Sequence, residues 1–169
     1  MKPAVLLLAR LFLGLSFLLF GWAKVSGKPV FDGKPFSQSF EGFVQETLSD
    51  KGHPFGFWRP VLEIAVRRAP GVFAFLVGGG ELLLGASLLL GALLRFSAIG
   101  GIALMASIQF CNNPFAGEGP LWAKVAGLVE HGAVALLLLL LALDGAGRFF
   151  GLDQLLSRER EFDFPKPAP

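Results

Sequence analysis

An all-α integral membrane fold, a bundle of four transmembrane helices, is predicted by this sequence on three observations. Only 17% of the 169 residues are charged, against about a quarter in soluble domains, which leaves too little polar surface for water to be the main solvent. The apolar residues gather into four runs, 4–25, 71–94, 96–112 and 121–143. At a rise of about 1.5 Å per residue, three of these cross a hydrocarbon core of about 30 Å outright, and the third in order spans if Asn112 and Asn113 sit at the interface. The stretches between the runs carry the Gly, Pro, Asn and charged residues that end one helix and start the next.

The first run follows Lys2 and so resembles a secretory leader. Arg10 interrupts it, it is too long, and Gly21-Trp22-Ala23-Lys24 is a poor cleavage site, so a retained helix is expected. The polar segment 26–70 is too short for a domain with its own core and reads as a structured loop. Within it Phe40, Phe43, Val44 and Leu48 recur at helical spacing among Glu41, Gln45, Glu46 and Asp50. The pattern predicts a short amphipathic helix over 39–48 lying on the membrane surface. A second short helix is expected from Pro60 through Val61, Leu62, Ile64 and Val66 to Arg67-Arg68.

Helices 2 and 3 are joined by almost nothing, so they form a tight hairpin with Arg95 marking its turn. Residues 112–120 form the loop before helix 4. Residues 1–153 thus make a single transmembrane domain and 154–169 a polar tail. Four crossings put both termini on one side of the membrane, and the positive charge of the Arg95 hairpin and of the 148–166 tail predicts that this side is cytoplasmic.

Small residues line the helices at Gly14, Gly21, Gly85, Ser87, Gly91, Ser97, Gly101, Ala123 and Gly127, which predicts close helix packing. Gly78-Gly79-Gly80 reads as tight packing in preference to a hinge. The net charge of +2 and the absence of a basic cluster with interleaved aromatics exclude nucleic-acid binding. Cys111 is the only cysteine, so no disulfide forms within the chain, and its expected role is packing. No Ser-His-Asp arrangement, phosphate-binding glycine loop or dinucleotide fingerprint occurs, which argues against a self-contained hydrolase or kinase.

The chemistry therefore rests on ionisable groups inside the bilayer. Arg10, Gly14, Phe17, Gly21 and Lys24 form one stripe of helix 1, and Glu81, Gly85, Leu88, Ala92 and Arg95 repeat its spacing in helix 2. Because the helices run in opposite directions, aligning Arg10 with Arg95 brings Glu81 level with Lys24, about 21 Å along. A lone charge at that depth costs at least about 2.5–3.5 kcal/mol, so Glu81 needs either a partner, Lys24 first, or a proton. A structural ion pair and a functional carboxylate are both open readings.

Glu130 and His131 lie about 13–15 Å into helix 4 and Glu81 about 15 Å into helix 2, at one depth. Gln109 is nearer the long-loop surface and Lys124 lies on the His131 side of helix 4. The group is expected to converge in a polar chamber open toward the long loop. Glu81, His131 and Glu130 are the candidate catalytic acids and bases, with His131 as proton carrier or as donor to a quinone carbonyl. Lys24, Gln109, Lys124 and Arg10 are the candidate cofactor-binding groups. A polar plug is the bland alternative, and for Arg10 an interfacial anchor is preferred over substrate binding. One His beside Glu130 with a single Cys is not a metal-ligand set, so no metal is expected.

These residues resemble the DoxX family of small membrane proteins, whose relatives include the DoxD-type small subunit of thiosulfate:quinone oxidoreductase. Helix 1 reads Ala9-Arg10-Leu11-Phe12-Leu13-Gly14, then Phe17, Gly21 and Lys24, and helix 2 reads Glu81-Leu82-Leu83-Leu84-Gly85 on to Leu94-Arg95. After helix 4, Gly147-Arg148-Phe149-Phe150-Gly151-Leu152-Asp153 is similar to the family's tail motif, with Gly151 where a serine is usual. The resemblance implies a prokaryotic cytoplasmic membrane protein with a link to thiosulfate or thiol oxidation, electrons passing to quinone. On that reading the chain is the membrane subunit of a redox complex, with partner subunits or a second copy of itself. A non-catalytic assembly subunit and a small transporter are the alternatives. Most of the 28–69 loop lies outside the resemblance.

Overall fold

The computed structural model describes residues 3–27, 35–49, 53–116, 120–143 and 151–153. The described residues form helices and loops in the order α1 (Pro3–Val25), α2 (Phe36–Leu48), α3 (Arg59–Val61), a π-helical segment (Leu62–Val66), α4 (Pro70–Leu90), α5 (Leu94–Cys111) and α6 (Leu121–Leu143). Four of them, α1, α4, α5 and α6, are long and apolar enough to cross a membrane. Their outward faces fit that solvent. Leu8, Phe12, Leu15 and Leu19 form an exposed stripe along α1, and Leu8 and Phe12 are 67% and 70% exposed, a surface that only lipid tails cover without penalty.

The most extensive pairing is α1 against α4, the next is α5 against α6, and α4 adjoins α5. Glycine sets the first contact. A Cβ on Gly85 would lie 2.6 Å from the Leu18 nitrogen and 2.7 Å from the Gly14 carbonyl oxygen, and one on Gly21 would lie 2.7 Å from the Leu82 nitrogen. Backbone meets backbone at both places, so any larger residue drives the helices apart. Gly78 faces Lys24 and Val25 in the same seam, whereas Gly79 and Gly80 face open space, so of the three glycines expected to pack tightly only Gly78 does. The apolar core between all four spans is built on Leu13 and Phe17 of α1, Leu84 and Leu88 of α4, Ala98 and Met105 of α5 and Leu138 and Leu141 of α6.

Two expectations are corrected. The α4–α5 hairpin turns at 91–93, and Arg95 is the second residue of α5. Gly91 adopts φ 64° and ends α4 as a left-handed cap, one turn before the apolar pattern runs out. Leu93 follows at φ 52°, and the exposed N-terminus of α5 is capped from far along the chain. Asp153 accepts hydrogen bonds from the Leu93 and Leu94 amides at 2.9 and 3.2 Å, while its own amide donates to the Gly91 carbonyl at 3.1 Å.

The second correction concerns the amphipathic helix. It forms, over Phe36–Leu48, but its apolar face turns into the protein. Val44 is 2% exposed and packs with Leu62 and Val66 of the π-helical segment, with Phe40, Leu48, Trp58, Phe73 and Cys111 around them. Arg59 fixes this arrangement: its guanidinium donates to the Leu48 carbonyl at 3.2 Å, capping α2, and to Glu63 at 3.0 Å. The loop is also tied to the end of α5, through Phe55 N–H to the Phe110 carbonyl and Asn113 N–H to the His53 carbonyl. The described loop segments thus form a cap over the long-loop end of α4 and α5. The polar tail 154–169 lies outside the described residues.

Candidate functional site

The close glycine seam brings the chains' two charged stripes together. Lys24 near the end of α1 donates to Glu81 Oε1 of α4 in an ion pair, the pairing that the equal spacing of the two stripes anticipates. Glu81 is 3% exposed. A single carboxylate so buried is tolerated because its partner is fixed beside it by the Gly21 and Gly78 contacts, which hold the two backbones at one register. The second carboxylate oxygen, Oε2, is buried without a hydrogen-bond partner. The ammonium of Lys24 also lies 5.3 Å from the centroid of the Phe36 ring, a cation–π contact that draws α2 over the pair.

Lys24 is in addition part of the wall of a cavity of about 560 Å³. Helix α2 supplies Phe36, Phe40 and Val44, the π-helical segment Leu62 and Val66, α4 Phe73 and Val77, and α5 Leu104, Ser107, Ile108 and Cys111. Lys24 is the one charged side chain among the described lining residues, and the Ser107 hydroxyl is committed to the Ala103 carbonyl at 2.8 Å. The volume and the mostly apolar lining, with Lys24 the one charge and Ser39 a further polar group among the described lining residues, are those of a small-molecule site. Trp58, Leu62, Val66 and Phe73 were not foreseen as site residues. The sequence signal for Leu62 and Val66 is the apolar periodicity after Pro60, which does not say what that face covers, and Trp58 and Phe73 carry no signal that sets them apart from ordinary packing residues.

The remaining candidates fall elsewhere. Gly101 of α5 abuts Leu138 of α6, and Gly127 faces Pro114 at 3.7 Å. Interpolating between these contacts puts His131 level with Gln109, on the half-buried side of α6. The Gln109 amide donates to the Asn112 carbonyl at 3.1 Å, and its Oε1 is buried without a partner. Lys124 is half-buried one turn into α6, level with the loop after α5. None of these three lines the cavity, and α5, which packs on both α4 and α6, stands between the two α6 residues and the helix of Glu81. Of the residues expected to share one polar chamber, Lys24 and Glu81 are paired, and Gln109, Lys124 and His131 lie outside the cavity that Lys24 borders. Glu130 lies beside His131 in α6, but its side chain is outside the described residues.

Arg10 is buried at 2% exposure rather than reaching out to the interface. It lies over Gly91, where a Cβ would meet its Nη1 at 2.7 Å, and close enough to Asp153 for the two charges to attract. Arg10 and Asp153 together close the α4–α5 turn, at the end of the bundle away from the cavity. Among the described residues no group of three or more His, Cys, Asp or Glu side chains is placed to hold a metal ion.

Fold and site define a multi-pass membrane protein, a four-helix bundle crossed by a buried lysine–glutamate pair that borders an apolar cavity. The DoxX family pattern matches residues 5–114, more than half of the chain, and the chain belongs to the DoxX family. The match runs from α1 through α5, so it contains Arg10, Lys24, Glu81 and the cavity, and stops before α6. No curated protein and no solved structure matches the chain.

Proposed function

We propose that this DoxX-family protein is the membrane subunit of a redox complex that oxidises thiosulfate or a thiol and passes the electrons to quinone, and that the cavity beside Lys24 holds the quinone ring. The observation that carries the reading is the position of Lys24, which joins a buried carboxylate to an otherwise apolar cavity. When bound, a quinone supplies two-electron, two-proton chemistry at its carbonyl oxygens. The residues present fit it: aromatic and aliphatic walls suit the ring and its tail, and the Lys24 ammonium has N–H donors beyond the one given to Glu81. Because the Lys24–Glu81 pair is neutral as a unit, a neutral carbonyl compound suits the cavity better than an anionic amphiphile, which would have to compete with Glu81 for the ammonium.

On this reading Lys24 orients a carbonyl by hydrogen bonding and hands it a proton, and Glu81 Oε2, which has no partner, is where the replacing proton is held. His131, level with Gln109, is a further proton-bearing side chain outside the cavity. Mild-detergent purification of the native protein, with mass spectrometry of co-purifying quinones and proteins, tests the proposal. Recovery of quinone and a redox partner, with quinone lost in folded Glu81→Gln, supports it. A clean, quinone-free protein with no partner sinks it.

A second reading is favoured by the Gly21–Glu81 proximity: the pair serves only to fix the register of α1 and α4 in an assembly subunit. Glu81→Ala then lowers protein level while leaving activity per folded molecule unchanged.

A further inference from the structure

The element between α2 and α4 has two faces. Inward, Trp58, Leu62 and Val66 close the cavity with α2. Outward, Phe57 and Ile64 are 62% and 60% exposed, and Arg67 and Arg68 are exposed beside them, while Val61, 37% exposed, sits between the two faces at the cavity's edge. Ile64 and Arg68 are four residues apart, close to one turn of the π-helical segment, so they mark one outward stripe, which Phe57 precedes. Helix α4 begins at Pro70, and its first outward residues, Val72, Phe75 and Leu76, are exposed and apolar within a span long enough to cross a membrane. The outward face of segment 57–68 is therefore continuous with a lipid-covered surface and stands where acyl chains give way to headgroups. The surface-lying role that the sequence suggests for 39–48 falls to this segment instead.

We propose that this face binds an anionic phospholipid of the surrounding bilayer, Arg67 and Arg68 taking the headgroup phosphate while Phe57 and Ile64 lie among the upper acyl chains. Arg59 is committed to Glu63 and the Leu48 carbonyl, whereas neither Arg67 nor Arg68 has a carboxylate partner among the described residues. Two guanidinium forks present the donor geometry that phosphate oxygens accept. A zwitterionic lipid offers the same phosphate but carries its own ammonium, so the pair of arginines selects for net negative charge. Apolar side chains on one end of the stripe and cations on the other match an interfacial segment, and a water-soluble partner protein would leave the apolar end facing hydrocarbon.

The test is lipid binding to the delipidated full chain in detergent, read by native mass spectrometry during titration with phosphatidylglycerol and phosphatidylcholine of matched chains. Tighter binding of phosphatidylglycerol is expected. At about five-fold per arginine, Arg67→Gln with Arg68→Gln lowers that preference roughly twenty-five-fold, and Arg68→Gln alone about five-fold. A fluorophore on Ile64→Cys in a Cys111→Ala background is quenched by lipids brominated on the upper acyl chain. Equal affinity for the two lipids, or a preference that survives the double substitution, overturns the proposal. So does a label at 64 quenched by aqueous iodide but not by brominated lipid, which would mark a face open to water or to a soluble partner.

Discussion

Removing one member of the Lys24–Glu81 pair tests the site through stability before any ligand is known. In Lys24→Met the Glu81 carboxylate, 3% exposed, keeps its place in the bundle with neither oxygen paired. Breaking a buried pair from one side costs about 3–5 kcal/mol, whereas replacing both partners by apolar residues of similar size is often close to neutral. Lys24→Met and Glu81→Leu are each expected to lose about 3 kcal/mol, and the double variant to lose only about 1–2 kcal/mol, a coupling of about 4 kcal/mol or more. Reversible unfolding in bicelles, followed by tryptophan fluorescence, measures all four proteins. Additive losses within about 0.5 kcal/mol would show that the two groups do not sense each other and would refute the pairing.

Other perturbations separate the remaining parts of the account. Gly85→Ala places a Cβ 2.6 Å from the Leu18 nitrogen, so α1 and α4 must part, and a loss of about 1–3 kcal/mol is expected in the same unfolding assay. Asp153→Ala removes the cap on α5 and the charge beside Arg10, with a loss of about 1–2 kcal/mol, and Asp153→Asn keeps part of it. Leu88→Ala, at a site with 0% exposure, costs about 2–5 kcal/mol through the void left between the spans. His131→Gln leaves quinone affinity unchanged in a binding titration, since His131 does not line the cavity, whereas Lys24→Gln lowers it.

The four spans are legible in the sequence because a bilayer leaves the backbone few choices: long apolar helices with polar breaks between them. The Lys24–Glu81 pairing is legible for a related reason, since equal spacing on two antiparallel helices fixes relative depth. Depth is all that such counting gives. Counting puts Glu81 and His131 at one depth, yet the packing sets His131 beside Gln109, nearer the long-loop end than Glu81, and which helix stands between them depends on lateral order, which the pairing of α4 with α1 and of α6 with α5 decides. The 39–48 periodicity marks a helix with one apolar face but is the same whether lipid or protein covers it. Leu62, Val66 and Phe73, arriving from later in the chain, settle that question. The turn at 91–93 was misplaced because its cap, Asp153, comes from some sixty residues further on, beyond the reach of any local pattern.

Photolabelling with an azido-quinone, followed by peptide mapping, tests the central claim most directly. The account expects saturable labelling, competed by unlabelled quinone, on the α2 segment Phe36–Leu48 and on the 104–111 part of α5, and its loss in folded Lys24→Gln. Labelling spread over the lipid-facing residues of α6 and α1, unaffected by competitor or by the Lys24 substitution, would contradict it.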